Sequence, residues 1–152
     1  MKSYIVFSDI HGDRYSLQKL KSFTENNNGA FFAGDGICIL KGFTQKQFYA
    51  VRGNCDFTGE KEITVEIDGV KILLTHGDLY GVKSSCFRLL MRAKELECKV
   101  VIFGHTHQTF IEEIDGVLMI NPGTCSYYTD RKTYAVLTIQ DQKATAYINE
   151  IK

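Results

Sequence analysis

Ser3-Tyr4-Ile5-Val6-Phe7-Ser8-Asp9-Ile10-His11-Gly12-Asp13 is the stretch whose reading decides the fold. Four consecutive β-branched and aromatic residues predict a strand buried on both faces, as in a parallel sheet, and the run stops at Asp9. Asp13 is placed to cap a helix over 14–27, in which Leu17, Leu20 and Phe23 recur at helical spacing. Asn26-Asn27-Asn28-Gly29 reads as its stop, with Gly29 ending the last turn. Ala30-Phe31-Phe32-Ala33 is then a second buried strand. After a short irregular connection, Phe48-Tyr49-Ala50-Val51 is a third, which makes the opening third βαβ in character.

Downstream the pattern changes. Ile63, Val65 and Ile67 alternate with polar residues, Asp68-Gly69 follows, and Val70, Ile72 and Leu74 alternate beyond it, a strong hairpin signal. A helix is expected from about Lys83 to Glu97, with Val82, Cys86, Leu89, Leu90, Ala93 and Leu96 on one apolar stripe. Another buried strand covers 99–103. Strands over 109–114 and 117–120 flank a second Asp-Gly turn at Asp115-Gly116, and two more, near 133–139 and 144–151, follow. Strands outnumber helices and the later ones come as hairpins. One open parallel sheet is therefore unsuited, and an α/β architecture of two stacked sheets with helices outside is expected.

The chain has 152 residues, 44% apolar and 24% charged, with a single proline, which predicts one globular domain over 1–152. Eighteen Lys and Arg balance eighteen Asp and Glu. That balance provides no overall field to attract nucleic acid or an acidic membrane, so binding to either is not expected. No apolar run exceeds four residues, far short of the roughly 20 of a membrane span or the 7–15 of a signal-peptide core. A cytoplasmic location follows as the expectation. The five cysteines, an odd number without a CxxC pair, fit reduced thiols, most of them expected as small core residues.

Five predicted strands end in residues of metal-ligand type: Asp9-Ile10-His11, Gly34-Asp35-Gly36, Gly53-Asn54-Cys55-Asp56, His76-Gly77-Asp78 and Gly104-His105-Thr106-His107. All four histidines of the chain fall in these runs. In α/β folds ligands bind beyond the carboxyl ends of strands, so these residues can converge despite their separation in sequence. Imidazole and carboxylate suit divalent transition ions. Asp9, His11, Asp35, Asn54, His76, His105 and His107 are thus candidate metal ligands.

Taken in order, these runs resemble the motifs of the calcineurin-like metallophosphoesterase superfamily: D-x-H, G-D, G-N, H-G and G-H-x-H. Ile120-Asn121-Pro122-Gly123-Thr124 further resembles the I-N-P-G-S segment of its small branch, which holds compact phosphodiesterases and the retromer scaffold subunit. The resemblance implies a four-layer αββα sandwich of two mixed sheets without a cap domain. It implies two divalent ions, one held by Asp9, His11, Asp35 and His107, the other by Asp35, Asn54, His76 and His105, with Asp35 bridging. Manganese is the expected occupant, with nickel, iron or zinc as alternatives. Asn54 would also touch substrate. The implied reaction is hydrolysis of a small phosphodiester by in-line attack of a metal-bridging hydroxide on phosphorus. A phosphomonoesterase, a nucleotide pyrophosphatase and a noncatalytic protein-binding scaffold are the alternatives on the same fold.

Three positions depart from the pattern: Cys55, the Gly36-Ile37 pair where larger relatives continue with acidic residues, and Asp78 in place of the second histidine of H-G-H. Cys55 stands where many members carry a histidine that assists the leaving group, so substrates with good leaving groups are expected to be favoured. Asp56 reads as a solvated turn carboxylate, with help to the leaving group as the alternative, and Asp78 as either a residue orienting a histidine or one facing water. Arg52, Tyr80, Tyr127 and Tyr128 are candidates for the mouth of the site. Oligomeric state is not legible.

Overall fold

Alternation along the first strand sets the layering. In β1 (Lys2–Phe7), Tyr4 and Val6 point to one side and Ile5 and Phe7 to the other, and all four are buried. A strand covered on both faces needs an uninterrupted apolar run, which is why no polar residue interrupts Tyr4 to Phe7. The computed structural model describes residues 1–41, 43 and 47–152. Residues 42 and 44–46, part of the expected irregular connection before the third strand, lie outside the described residues.

After β1 come α1 (Arg14–Glu25), β2 (Gly29–Phe32), β3 (Phe48–Ala50), β4 (Glu62–Ile67), β5 (Val70–Thr75), α2 (Phe87–Glu95) and β6 (Val100–Ile102). Then follow β7 (Thr109–Ile114), β8 (Val117–Pro122), β9 (Thr133–Gln140) and β10 (Lys143–Glu150). The strands form two mixed sheets of five, ordered β10-β9-β1-β2-β3 and β4-β5-β6-β8-β7. In the first, β1, β2 and β3 are parallel; in the second, β5, β6 and β8 are. Helices α1 and α2 lie outside, one on each sheet, so the expected αββα sandwich is observed.

Three apolar layers hold it together. Tyr4, Val6, Phe31, Ile72, Leu74 and Ile102 meet between the sheets. Ile5, Phe7 and Phe32 face Leu17 and Leu20 of α1, while Leu73, Val101 and Met119 face Leu89, Leu90 and Ala93 of α2. Each large side chain withdrawn from water contributes about 1.5–3 kcal/mol. Asp68 and Asp115 adopt left-handed φ of 48° and 50° ahead of Gly69 and Gly116, so both Asp-Gly pairs make the tight turns read from sequence.

Three expectations need correction. Helix α2 starts at Phe87 instead of Lys83, because Gly81 turns left-handed and Ser85 Oγ accepts Phe87 N (3.0 Å), diverting the backbone into turns. Val82 is buried in the α2 layer but precedes the helix. Helix α1 is closed by Asn26, whereas Gly29 begins β2, where a Cβ would sit 2.0 Å from the Gln47 carbonyl oxygen. Finally, only Cys98 and Cys125 are buried; Cys86 is half-buried, and Cys38 and Cys55 are exposed.

Candidate metal centre

The carboxyl ends of the parallel strands of both sheets deliver their loops to one place. Asp9 follows β1, Asp35 follows β2 and Asn54 follows β3, while His76 follows β5 and the His105–His107 loop follows β6. Asp9 N donates to Gly34 O (2.8 Å) and Gly104 N to His76 O (2.9 Å), which ties neighbouring loops within each sheet. Between the sheets, His105 N donates to Asp9 Oδ2 at 3.1 Å. The loops need unusual backbone. Asp9, His11, Asp35, His105 and His107 all adopt φ between 43° and 72°, a region sparsely used by residues other than glycine and one that concentrates at functional sites.

Close approach explains two glycines. A Cβ on Gly53 would lie 2.0 Å from Asp35 Oδ1, and one on Gly104 would lie 2.1 Å from Ser8 Oγ and 2.6 Å from Asp9 Oδ2. Any side chain at either position would displace the carboxylates from the cluster.

Six of the seven candidate ligands contact one another. Asp9 Oδ1 lies 3.1 Å from His107 Nε2, 3.7 Å from His11 Nε2 and 3.8 Å from His76 Nε2. Asp35 Oδ2 lies 3.3 Å from His76 Nε2 and 3.9 Å from His11 Nε2. His105 Nδ1 sits 3.2 Å from His76 Nε2. Ligand atoms of Asp9, His11 and His107 lie within 4.8 Å of one another, as do those of Asp9, Asp35 and His76. Asn54, the seventh, is exposed at the rim and its Nδ2 donates to Cys55 Sγ at 3.6 Å.

The electrostatics suit a cation. Burial opposes ionisation of Asp9, but the imidazoles of His107, His11 and His76 and the Ser8 hydroxyl outweigh it and hold the carboxyl well below its usual range. Burial also opposes ionisation of Asp35, and His76 with the Cys55 N–H again wins. Both are therefore carboxylates at neutral pH. His105 is pushed down by burial and by His76 and Lys83, which favours the neutral imidazole that metals bind. His76 Nδ1 faces Ala33 O at 2.7 Å, which favours the tautomer protonated at Nδ1 and turns Nε2 toward Asp35 and His105 as a candidate ligand atom.

The residues fit a divalent ion on a separate observation. Asp9 Oδ1 and His11 Nε2 are buried without a well-aligned hydrogen bond, although imidazole nitrogens of His107 and His11 lie 3.1 and 3.7 Å from Asp9 Oδ1. An orphaned buried carboxylate oxygen costs about 1–3 kcal/mol or more. Here it faces three imidazole nitrogens, and a cation among them would be coordinated by carboxylate and imidazoles together.

Surrounding groups missed from the sequence hold the cluster. Asp56 is no solvated turn carboxylate. Its Oδ2 accepts from Asp35 N and Gly53 N (both 2.8 Å) and its Oδ1 from Gly36 N (2.8 Å) and Ile37 N (3.2 Å). Asn121 Nδ2 donates to Gly104 O (3.1 Å) and Thr106 Oγ1 (2.9 Å), and Thr124 Oγ1 donates to Asp9 O (2.7 Å). Asp78 opens a short turn beside Asn54 and makes no hydrogen bond to a histidine among the described residues. Tyr80 is not at the mouth, since its hydroxyl donates to Glu62, which also pairs with Arg92. Cys55 Sγ lies within 4.8 Å of ligand atoms of His11 and Asp35.

Residues 1–142 match the calcineurin-like phosphoesterase superfamily domain. The chain is 35% identical to the probable metallophosphoesterase YsnB of Bacillus subtilis over 93% of this chain and 86% of that one. It is 42% identical to phosphodiesterase MJ0936 of Methanocaldococcus jannaschii, again over 93% and 86%. The structure of vacuolar protein sorting 29 from Cryptosporidium parvum superposes with a TM-score of 0.76, covering 99% of this chain and 97% of that one; at 19% identity the likeness is one of fold. The family match runs from β1 through β9 and so takes in every loop that feeds the cluster: the chain belongs to the calcineurin-like phosphoesterase superfamily, in its branch of small metal-dependent phosphoesterases.

Proposed function

We propose that the protein is a dinuclear phosphodiesterase of small molecules, acting in the cytoplasm on a single uncapped domain over 1–152. Asp9, His11, Asp35 and His107 would hold one ion and Asp35, Asn54, His76 and His105 the other, with Mn2+ as the occupant and nickel, iron or zinc as substitutes. The observation that carries this reading is the orphaned Asp9 Oδ1 facing three imidazoles beside Asp35. One core shared by both sheets supports the single domain.

Bound ions supply Lewis acidity, charge compensation for the phosphoryl oxygens and activation of water at neutral pH. The chain's own residues do the rest. Buried carboxylates fix the charge of the pocket, Ala33 O fixes the His76 tautomer, and the Asp56 network fixes the Asp35 and Asn54 loops. Asn54, exposed at the rim, would also touch a phosphoryl oxygen. Full metal analysis joined to assays on bis(p-nitrophenyl) phosphate, p-nitrophenyl phosphate and a dinucleotide tests the reading. Chelation should abolish hydrolysis, restored Mn2+ should return it at two equivalents per chain, and the diester should be the faster substrate. Two bound ions with no hydrolysis would instead favour the scaffold, and a faster monoester or dinucleotide would reassign the substrate.

Cys55 sets a limit on this chemistry. Partial burial, then the nearby Asp35 carboxylate, raises the pKa of its thiol, so it protonates a leaving oxygen less readily than an imidazolium would. Cys55→His should raise kcat on diesters of poorly acidic alcohols roughly ten- to a hundredfold while p-nitrophenyl esters, which need no proton, gain little. A uniform gain, or none, would separate Cys55 from leaving-group assistance.

A further inference from the structure

Beside the cluster, a cavity of about 420 Å³ is bordered by His11 and His107 and lined by Thr124, Ser126, Tyr128 and Thr129. Tyr128 is 77% exposed and Tyr127 56% exposed, and their rings stack at 4.3 Å between centroids with a 37° tilt. Two large aromatic faces left in water at the edge of a catalytic cleft bury little by packing on each other alone. We propose that Tyr128, braced by Tyr127, is the platform on which the nucleobase of a phosphoester substrate stacks. The inference rests on the phosphoesterase reading above and narrows its substrate to nucleotide esters.

The platform is tethered to the cluster by a short hydrogen-bond relay. Thr124 Oγ1 donates to Asp9 O at 2.7 Å, Ser126 N donates to Thr124 Oγ1 at 3.2 Å, and Tyr128 N donates to Ser126 Oγ at 3.1 Å. Tyr127 Oη donates to Tyr128 Oη at 2.9 Å, which couples the two rings. The relay ties the Tyr128 backbone to Asp9, a residue of the candidate metal pocket. The Ser126 and Thr129 hydroxyls give the cavity polar groups for a base edge or a ribose.

The direction of binding follows from a second cavity at the rim of the cluster. It is bordered by Gly53 and Asn54 and carries Arg52, Lys61, Asp56 and Asp78 with no aromatic side chain. A flat aromatic group is therefore received better on the Tyr128 side, where the ring itself borders the cavity, than here, where the exposed Phe57 lies outside the lining. Base-on-aromatic stacking is tolerant of base identity because every base presents a π-face, so the platform selects for the presence of a base more than for its type.

Calorimetric titration of the Mn2+-loaded protein with AMP, ribose 5-phosphate and inorganic phosphate tests this without relying on turnover. AMP should bind at least about fivefold more tightly than ribose 5-phosphate. That preference should fall below about twofold in Tyr128→Ala and survive in Tyr128→Phe, which keeps the ring. Equal affinities in the unaltered protein, or a preference that persists in Tyr128→Ala, would overturn the platform alone. Failure of inorganic phosphate to bind at all would overturn the phosphoesterase reading and the platform with it.

Discussion

Asp35→Asn is expected to leave a folded protein that no longer retains two metal equivalents and whose hydrolysis is slower by at least about a hundredfold. The fold should survive because asparagine is among the few residues that accept the left-handed φ of 67° at this position. Its carbonyl oxygen can also keep the bond from Cys55 N, now 2.8 Å from Asp35 Oδ1. What is lost is specific to metal binding. The charge disappears from a buried position, so the repulsion between the two proposed dications would go uncompensated there. The amide nitrogen then takes the place of Oδ2, 3.3 Å from His76 Nε2. There it donates to the lone pair that the Ala33-fixed tautomer had kept free for a cation. One substitution thus removes one ligand and blocks a second. Metal analysis by mass spectrometry, with circular dichroism as the control for folding, reads both. Retention of two equivalents would remove Asp35 from the bridging position.

Much of this architecture is readable from residue order because the relevant signals are local. Strands buried on both faces have to be apolar throughout, as at Tyr4 to Phe7, and hairpins need Asp-Gly at their turns. Each candidate ligand follows directly on a strand, so the periodicity that predicts the strand also predicts where its end delivers the side chain. The start of α2 was less legible, because a serine two residues before Phe87 diverts the backbone by a bond that an apolar stripe does not encode. The cysteines misled for a related reason. Thiols are often buried, but Cys55 is carried outward by the turn that brings Gly53 against Asp35.

The left-handed ligands were also invisible. Asp9, His11, His105 and His107 are not glycines, and what holds them there is the partner loop rather than their own preference. Bonds such as His105 N to Asp9 Oδ2 join residues 96 apart. No spacing rule reaches that far. The same holds for the carboxylate that organises the β2 and β3 loops, whose backbone partners Asp35, Gly36 and Ile37 are 19 to 21 residues away.

That carboxylate, Asp56, carries the second large prediction. Each of its oxygens accepts two backbone N–H groups, three from the Asp35 loop and one from Gly53. Asp56→Asn keeps the shape but turns one oxygen into a donor that faces two donors. About two hydrogen bonds are lost and two partly buried N–H groups are left unpaired, at about 1–3 kcal/mol each, so a destabilisation of roughly 2–6 kcal/mol is expected. For a chain of this size that lowers Tm by roughly 4–24 °C. The effect on the cluster should be separable from this. Releasing the Asp35 and Gly53 backbones loosens one buried carboxylate and the Asn54 rim together, and the loss of such supporting partners weakens metal affinity about 10- to 100-fold. Calorimetric metal titration well below the lowered Tm isolates that component. A fall in Tm with unchanged metal affinity would make Asp56 a clamp for the fold only. A fall in both, with Asp56→Glu restoring neither because its longer side chain cannot reach all four N–H groups at once, would make the carboxylate the element that aligns the two loops for metal.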